Sequence, residues 1–240
     1  MHFNRSIVIT VILAVSMWWT VSMFAAPFMV APGTIVNLDG RANTIDYAPL
    51  WNSIHPYPRV IYYMGDINCH QLSSRTVYLN GNEMPVCARD VSIFVFFNVG
   101  LVAALLTMPS PGISTGVLNL FPEKFRKSVS RYKRGPALFA IIFFALLLLP
   151  TAVDGFAQML TPYESTNLVR LLTGAPCGFA SGFYLGVMIT SAGEIDRIRK
   201  RLRDELKREL GKELKSESGT GILQKQKNGK TKDEKMNEEE

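Results

Sequence analysis

Four stretches of the chain carry no charged residue. Residues 6–31 read SIVITVILAVSMWWTVSMFAAPFMVA, 91–108 read VSIFVFFNVGLVAALLTM, 136–153 read PALFAIIFFALLLLPTAV, and 171–193 read LLTGAPCGFASGFYLGVMITSAG. A helix crosses about 30 Å of hydrocarbon with about 20 residues, at about 1.5 Å each. Four such runs in 240 residues exceed what a soluble core would use. The pattern predicts an all-α integral membrane protein with four transmembrane helices, an irregular outer segment and a cytoplasmic helical tail. The expected organisation is an N-terminal anchor over 1–31, an extracytoplasmic segment over 32–90 and a three-helix core over 91–193. An amphipathic helix over 194–216 and a disordered charged tail over 217–240 follow. The first run has a rival reading as a cleaved signal peptide, with Arg5 as its basic front. Met23, Phe24 and Pro27 stand where cleavage wants small residues, and the run is long for a leader, so a retained anchor is expected.

Charge then orients the spans. The connector 109–135 holds six Lys or Arg (Lys124, Arg126, Lys127, Arg131, Lys133, Arg134) against the single acid Glu123, and the tail after Gly193 holds fourteen. The connector 154–167 holds none, and 32–90 holds four against five acids. By the positive-inside rule both basic regions, and with four spans both termini, are expected in the cytoplasm of a multi-pass cell-membrane protein. The net charge of +6 then reflects orientation and anionic lipid, and no nucleic-acid partner is required. In the tail, Ile195, Ile198, Leu202, Leu206, Leu210 and Leu214 recur at helical steps. They suit a membrane-surface helix, or a short coiled coil in a homo-oligomer. Beyond about residue 216, Ser, Gly, Lys and Glu predict disorder.

Gly174, Gly178, Gly182 and Gly186 recur every four residues in the fourth run, a stripe that admits close approach of another helix inside the bundle or between copies. Cys177 within it reads as a small buried apolar side chain.

Candidate chemistry lies in two polar stretches, GDINCHQLSSRTVYLNGNEMPVCARD at 65–90 and LPTAVDGFAQMLTPYESTNLVRLLTG at 149–174. In the first, Cys69, His70, Cys87 and Asp90 offer thiolate, imidazole and carboxylate, ligands zinc accepts. The same two cysteines, on the oxidising side, could instead close a disulfide around a turn at Asn80–Gly81, or act as redox thiols beside Arg75 or Arg89. In the second stretch, Asp154 and Gln158 share a face if the third helix continues that far. Asn167, Arg170, Gly174 and Cys177 share another. Arg170 borders the fourth span, where a charge needs a partner, and Asp154 and Glu164 are the nearby acids. An ion pair that merely orders a turn explains this cluster as well as a site does. In the site reading, Asp154, Glu164, Arg170 and Gln158 are the catalytic candidates and Arg75 and Arg89 bind an anion. His55 is an outlying further ligand, and 32–64 reads as irregular, with an interfacial stretch at VIYYM.

The chain resembles the predicted membrane proteins grouped as domain of unknown function 2085. The resemblance rests on Cys69, His70, Gln71, Arg75, Cys87, Ala88 and Arg89, and on Asp154, Gly155, Gln158, Glu164, Asn167, Arg170 and Gly174, over roughly residues 60–192. Family members read Cys-Ala-Arg-Cys where this chain has Cys87, Ala88, Arg89 and Asp90. The carboxylate excludes a Cys-x-x-Cys couple but remains a metal ligand, which brings the metal reading level with the disulfide. Two function classes stay open. One is a metal- or thiol-dependent membrane enzyme with an outward-facing polar site. The other is a non-enzymatic scaffold or partner-binding protein whose outer loop is stapled by Cys69 and Cys87.

Overall fold

The computed structural model describes residues 5–41 and 44–236, with side chains over 7–41 and 44–212. Among the described residues, four helices are long and apolar enough to cross a membrane: α1 (Arg5–Ala25, prolonged by a 3-10 turn at Ala26–Met29), α4 (Ala88–Leu106), α7 (Gly135–Leu160) and α8 (Asn167–Met236). Three of them extend past the uncharged runs into the polar stretches. The helix containing the second run starts at Ala88, so Arg89 and Asp90 form its first turn, and Cys87 is its N-cap. The third run continues as helix to Leu160, which carries Asp154 and Gln158. Uncharged length marks what hydrocarbon tolerates. Backbone hydrogen bonding carries a helix further, into polar surroundings.

Between α1 and α4 the chain builds α2 (Ala48–Ser53), α3 (Pro56–Asn68) and a hairpin of β1 (Tyr78–Leu79) with β2 (Asn82–Glu83). This is more regular structure than the turn residues of 32–64 indicate. The prolines that argue for irregularity sit in the first turns of α2 and α3, where a missing N–H costs no hydrogen bond. The hairpin turns at Asn80 and Gly81, both at positive φ (53° and 71°), a pairing suited to a two-residue turn.

Trp51, Tyr62, Ile35, Ile61 and Met84 form the apolar centre of this segment, together with Trp19 and Met23 from α1. The Trp51 and Tyr62 rings stack at 5.0 Å, and Trp51 Nε1 donates to Asp66 Oδ2 at 2.8 Å. Two fully buried polar residues of β2 tie it down. Asn82 Nδ2 donates to Pro27 O at 3.0 Å, and its Oδ1 accepts from Ile35 N at 3.0 Å. Glu83 accepts from Leu38 N, Tyr78 Oη and Ser73 Oγ. This segment is therefore a fixed cap on the helices, held at many points to the end of α1.

At the opposite end, α5 (Ile113–Leu118) and α6 (Glu123–Ser130) connect α4 to α7. Helices α4 and α8 meet along glycines. A Cβ on Gly174 would sit 2.7 Å from Arg89 O, and one on Gly178 or Gly182 would strike the backbone of Ile93 or Phe97. On the other side, a Cβ on Gly100 would sit 2.6 Å from Phe183 N. Gly186 faces the Ala104 side chain. The stripe is engaged within the chain, backbone against backbone.

The chain divides into two compact units, residues 1–193 and 194–240. In the second, α8 is helical to Met236, past the point near 216 where composition predicts disorder; residues 237–240 of that expected tail lie outside the described ones. The segment contains no proline to interrupt the hydrogen-bond ladder. Ile195, Ile198, Leu202, Leu206 and Leu210 are exposed along it, while the side chain of Leu214 lies outside the described ones.

Candidate functional site

The C-terminal end of α3, the following loop, the first turn of α4, the C-terminal end of α7 and the start of α8 surround a cavity of about 630 Å³. Cys69 caps α3 and Cys87 caps α4, which sets two helix ends against each other. Gln71 fixes the loop between them. It adopts a positive φ of 48°, is fully buried, and donates from Nε2 to Pro85 O at 2.9 Å and to Tyr62 O at 3.4 Å. Gly65 makes room for this crossing, since a Cβ there would meet the Pro85 backbone.

Cys69, Cys87 and Asp90 present their donor atoms within 4.8 Å of one another. Cys87 N–H donates to Cys69 Sγ at 3.3 Å, and Cys87 Sγ lies 3.2 Å from Asp90 Oδ2. The two sulfurs are not bonded to each other in this structure. The hydrogen bond from Cys87 holds the Cys69 thiol below its ordinary range. The same sharing with Cys69, and then burial, pushes Cys87 far above its own.

His70 lines the same cavity but is exposed and stands outside the three-residue group. His55 caps α3 by accepting from Tyr57 N at 3.4 Å and does not join the cluster. Cys177 is half-buried on α8, also apart from it.

The second polar stretch forms one side of the cavity. Gly155, Gln158, Met159 and Arg170 line it together with Arg75 and Arg89. Behind this wall, buried Asp154 pairs with Arg89 and accepts from Gln158 Nε2 at 2.9 Å. Gln158 Oε1 accepts from Arg170 Nη2 at 2.7 Å, and Arg170 Nε donates to Ser165 O at 3.1 Å. Arg75 pairs with Glu164 at 2.9 Å, and this guanidinium holds the Glu164 carboxyl below the usual carboxylate range. Asn167 Nδ2 donates to Thr76 O at 2.9 Å.

Asp154 and Glu164 therefore support arginines rather than face the cavity, and Gln158 and Arg170 reach it. Sequence reasoning singled out neither Gln71 as the residue shaping the loop nor Ser92, whose Oγ donates to Leu171 O at 2.6 Å across α4 and α8. Gln71 entered the sequence reading only as part of the Cys-His-Gln resemblance, with no role attached. Ser92 carried no signal, since it sits in an uncharged run.

The family model described as "Predicted membrane protein (DUF2085)" matches residues 69–184, which include both polar stretches. An uncharacterized protein of Methanocaldococcus jannaschii is 30% identical over 125 residues, 52% of this chain and 65% of that protein. The match thus spans somewhat under two thirds of that relative's length. An uncharacterized protein of Methanothermobacter thermautotrophicus is 30% identical over 110 residues, 46% of this chain and 77% of that protein. No solved structure matches the chain. On these matches, and on four helices able to span a bilayer, the chain belongs to the DUF2085 family of predicted membrane proteins.

Proposed function

We propose that this membrane protein is a metal-dependent enzyme whose site opens on the extracytoplasmic face, with Cys69, Cys87 and Asp90 as ligands of a zinc ion. The observation that carries the reading is the convergence of two sulfurs and one carboxylate on the wall of a cavity of about 630 Å³. Donors in a tetrahedral zinc shell lie about 3.5–4 Å apart, which this group reaches with small side-chain shifts. A disulfide would use only the two sulfurs. A carboxylate 3.2 Å from Cys87 Sγ is a liability beside a disulfide and an asset beside a cation. Three protein ligands leave a fourth position for water or substrate, the arrangement of catalytic zinc, where the metal would supply a Lewis acid and a more acidic bound water.

In this reading Arg75, Arg89 and Arg170 orient an anionic substrate group. Glu164, Asp154 and Gln158 are positioning residues, each bonded to one of those arginines. The extracytoplasmic placement, with both termini in the cytoplasm, rests on the basic residues of 109–135 and of the tail.

The test is elemental analysis of the detergent-purified full chain. About one zinc per chain is expected, falling to background in Cys69→Ser and in Cys87→Ser. A metal-free protein with both thiols alkylatable would defeat the reading. A metal-free protein in which Cys69 and Cys87 are joined would favour the second reading, a non-enzymatic scaffold stapled by that disulfide. The adjacency of the two sulfurs is what keeps this second reading open.

A further inference from the structure

Arg170 is 2% exposed, yet its resolved hydrogen bonds go only to neutral acceptors, Gln158 Oε1 and Ser165 O. Among the described residues no carboxylate lies within ion-pair distance of it, whereas Arg75 and Arg89 each have one. A buried guanidinium with no directly paired carboxylate is costly, more so at the edge of a bilayer, and such a residue commonly marks where a ligand's charge belongs. Arg170 lines the cavity. So does Arg89, whose Nε is buried without a hydrogen-bond partner. One anionic group placed between these two would give Arg170 the paired charge that its neutral acceptors do not supply, beside a second guanidinium.

The surroundings indicate where that anion comes from. Tyr57, Val60, Met64 and Ile67 recur at steps of three, four and three along α3, and all four are exposed, while Ile61, Tyr62, Gly65 and Asp66 on the other faces are buried. An exposed helix face in water would be polar, and this one is apolar. Its depth is set by the Tyr57 Oη to Ser22 Oγ hydrogen bond of 2.7 Å, because Ser22 lies within the first span. The stripe therefore adjoins the exposed apolar side chains at the outer end of that span, Val21, Phe24 and Phe28. Helix α3 ends at the cavity, at Cys69. Across the cavity, Met159 of α7 is exposed beside Phe156 and Leu160. A polar pocket flanked by two lipid-facing helices is open to the bilayer.

We infer that the ligand of this pocket is a membrane lipid with an anionic phosphate headgroup, which enters from the outer leaflet past α3 and α7 and is seated on Arg170 and Arg89. This deepens the enzyme reading above by naming its substrate class, and it rests on that reading's placement of the site. It does not require the metal.

The experiment titrates the full chain in neutral detergent with dioctanoyl phosphatidic acid, with inorganic phosphate and dioctanoylglycerol as comparators and zinc content measured on the same samples. Phosphatidic acid is expected to bind at least about 10-fold tighter than either comparator, and Arg170→Gln to weaken it by about 10-fold or more, the size of a lost charge-assisted hydrogen bond. Phosphate binding as tightly as the lipid would overturn the lipid source, and binding untouched by Arg170→Gln would overturn the seat. In nanodiscs, the fluorescence that Met64→Trp adds to the unsubstituted chain is expected to be quenched by lipids brominated near the headgroup end of the acyl chain. Absence of quenching would overturn lateral entry even if Arg170→Gln fails to fold. Zinc without lipid binding defeats this inference alone, and lipid binding without metal defeats the metal alone.

Discussion

Asp154 on α7 is joined to Arg89 on α4, and the carboxylate oxygen that meets Arg89 also accepts from Gln158 at 2.9 Å. Neither partner of the ion pair is well exposed, and they lie 65 residues apart in sequence. The pair therefore connects two spanning helices at the level of the cavity. Removing one member leaves the other charged and buried. Asp154→Ala is expected to destabilise the protein by about 3–5 kcal/mol, with Arg89→Ala similar, whereas replacing both by apolar residues costs much less. Thermal unfolding in detergent measures this, and equal losses for the single and double variants would contradict it.

The glycine contact between α4 and α8 leaves no room for a methyl group at Gly178 or Gly182. Gly182→Ala is expected to cost about 1–3 kcal/mol by forcing two backbones apart. Gly211, with open space around its Cβ position, should tolerate alanine without loss. A comparison of the two midpoints by thermal unfolding decides the matter.

The Arg75–Glu164 pair links the cysteine loop to the α7–α8 connector, and the bond to Arg75 lowers the Glu164 pKa in the folded protein. A depressed carboxyl stabilises the fold above its unfolded pKa and loses that contribution as pH falls through the folded value. The stability advantage over Glu164→Gln should thus be present near neutrality and vanish in acid below the ordinary carboxylate range. An advantage that grows on acidification has the wrong sign for this pair.

Within the metal reading, the ligand group excludes His70. Asp90→Ala is expected to lower zinc affinity by at least about 10-fold, as loss of one of three protein ligands should. His70→Ala should leave metal content unchanged. Loss of zinc on His70→Ala, with retention on Asp90→Ala, would reverse the assignment.

How much of this was legible follows from the range of each interaction. The four spans are properties of composition, because every residue of a lipid-facing helix meets the same solvent, so 6–31, 91–108, 136–153 and 171–193 carry their signal residue by residue. The glycine spacing of α8 likewise announces a close approach, though not the partner. The i, i+4 relation of Asp154 and Gln158 becomes a hydrogen bond because α7 continues to Leu160.

Tertiary structure alone decided the pairings. Arg75 could have met Asp154 or Glu164, and Arg170 either acid. The fold gives Asp154 to Arg89 and Glu164 to Arg75, and leaves Arg170 with neutral acceptors. It leaves His70 outside the group formed by Cys69, Cys87 and Asp90, and brings Asp90 to Cys87 across one helical turn. It also turns the proline-rich stretch 32–64 into a packed cap on α1, with the apolar face of α3 left outside. The physical reason is common to all three. Hydrophobicity acts on each residue separately and can be read in order along the chain. Ion pairs, ligand sets and buried hydrogen bonds depend on which of several chemically equivalent partners is brought within about 3 Å, and only the packed backbone determines that.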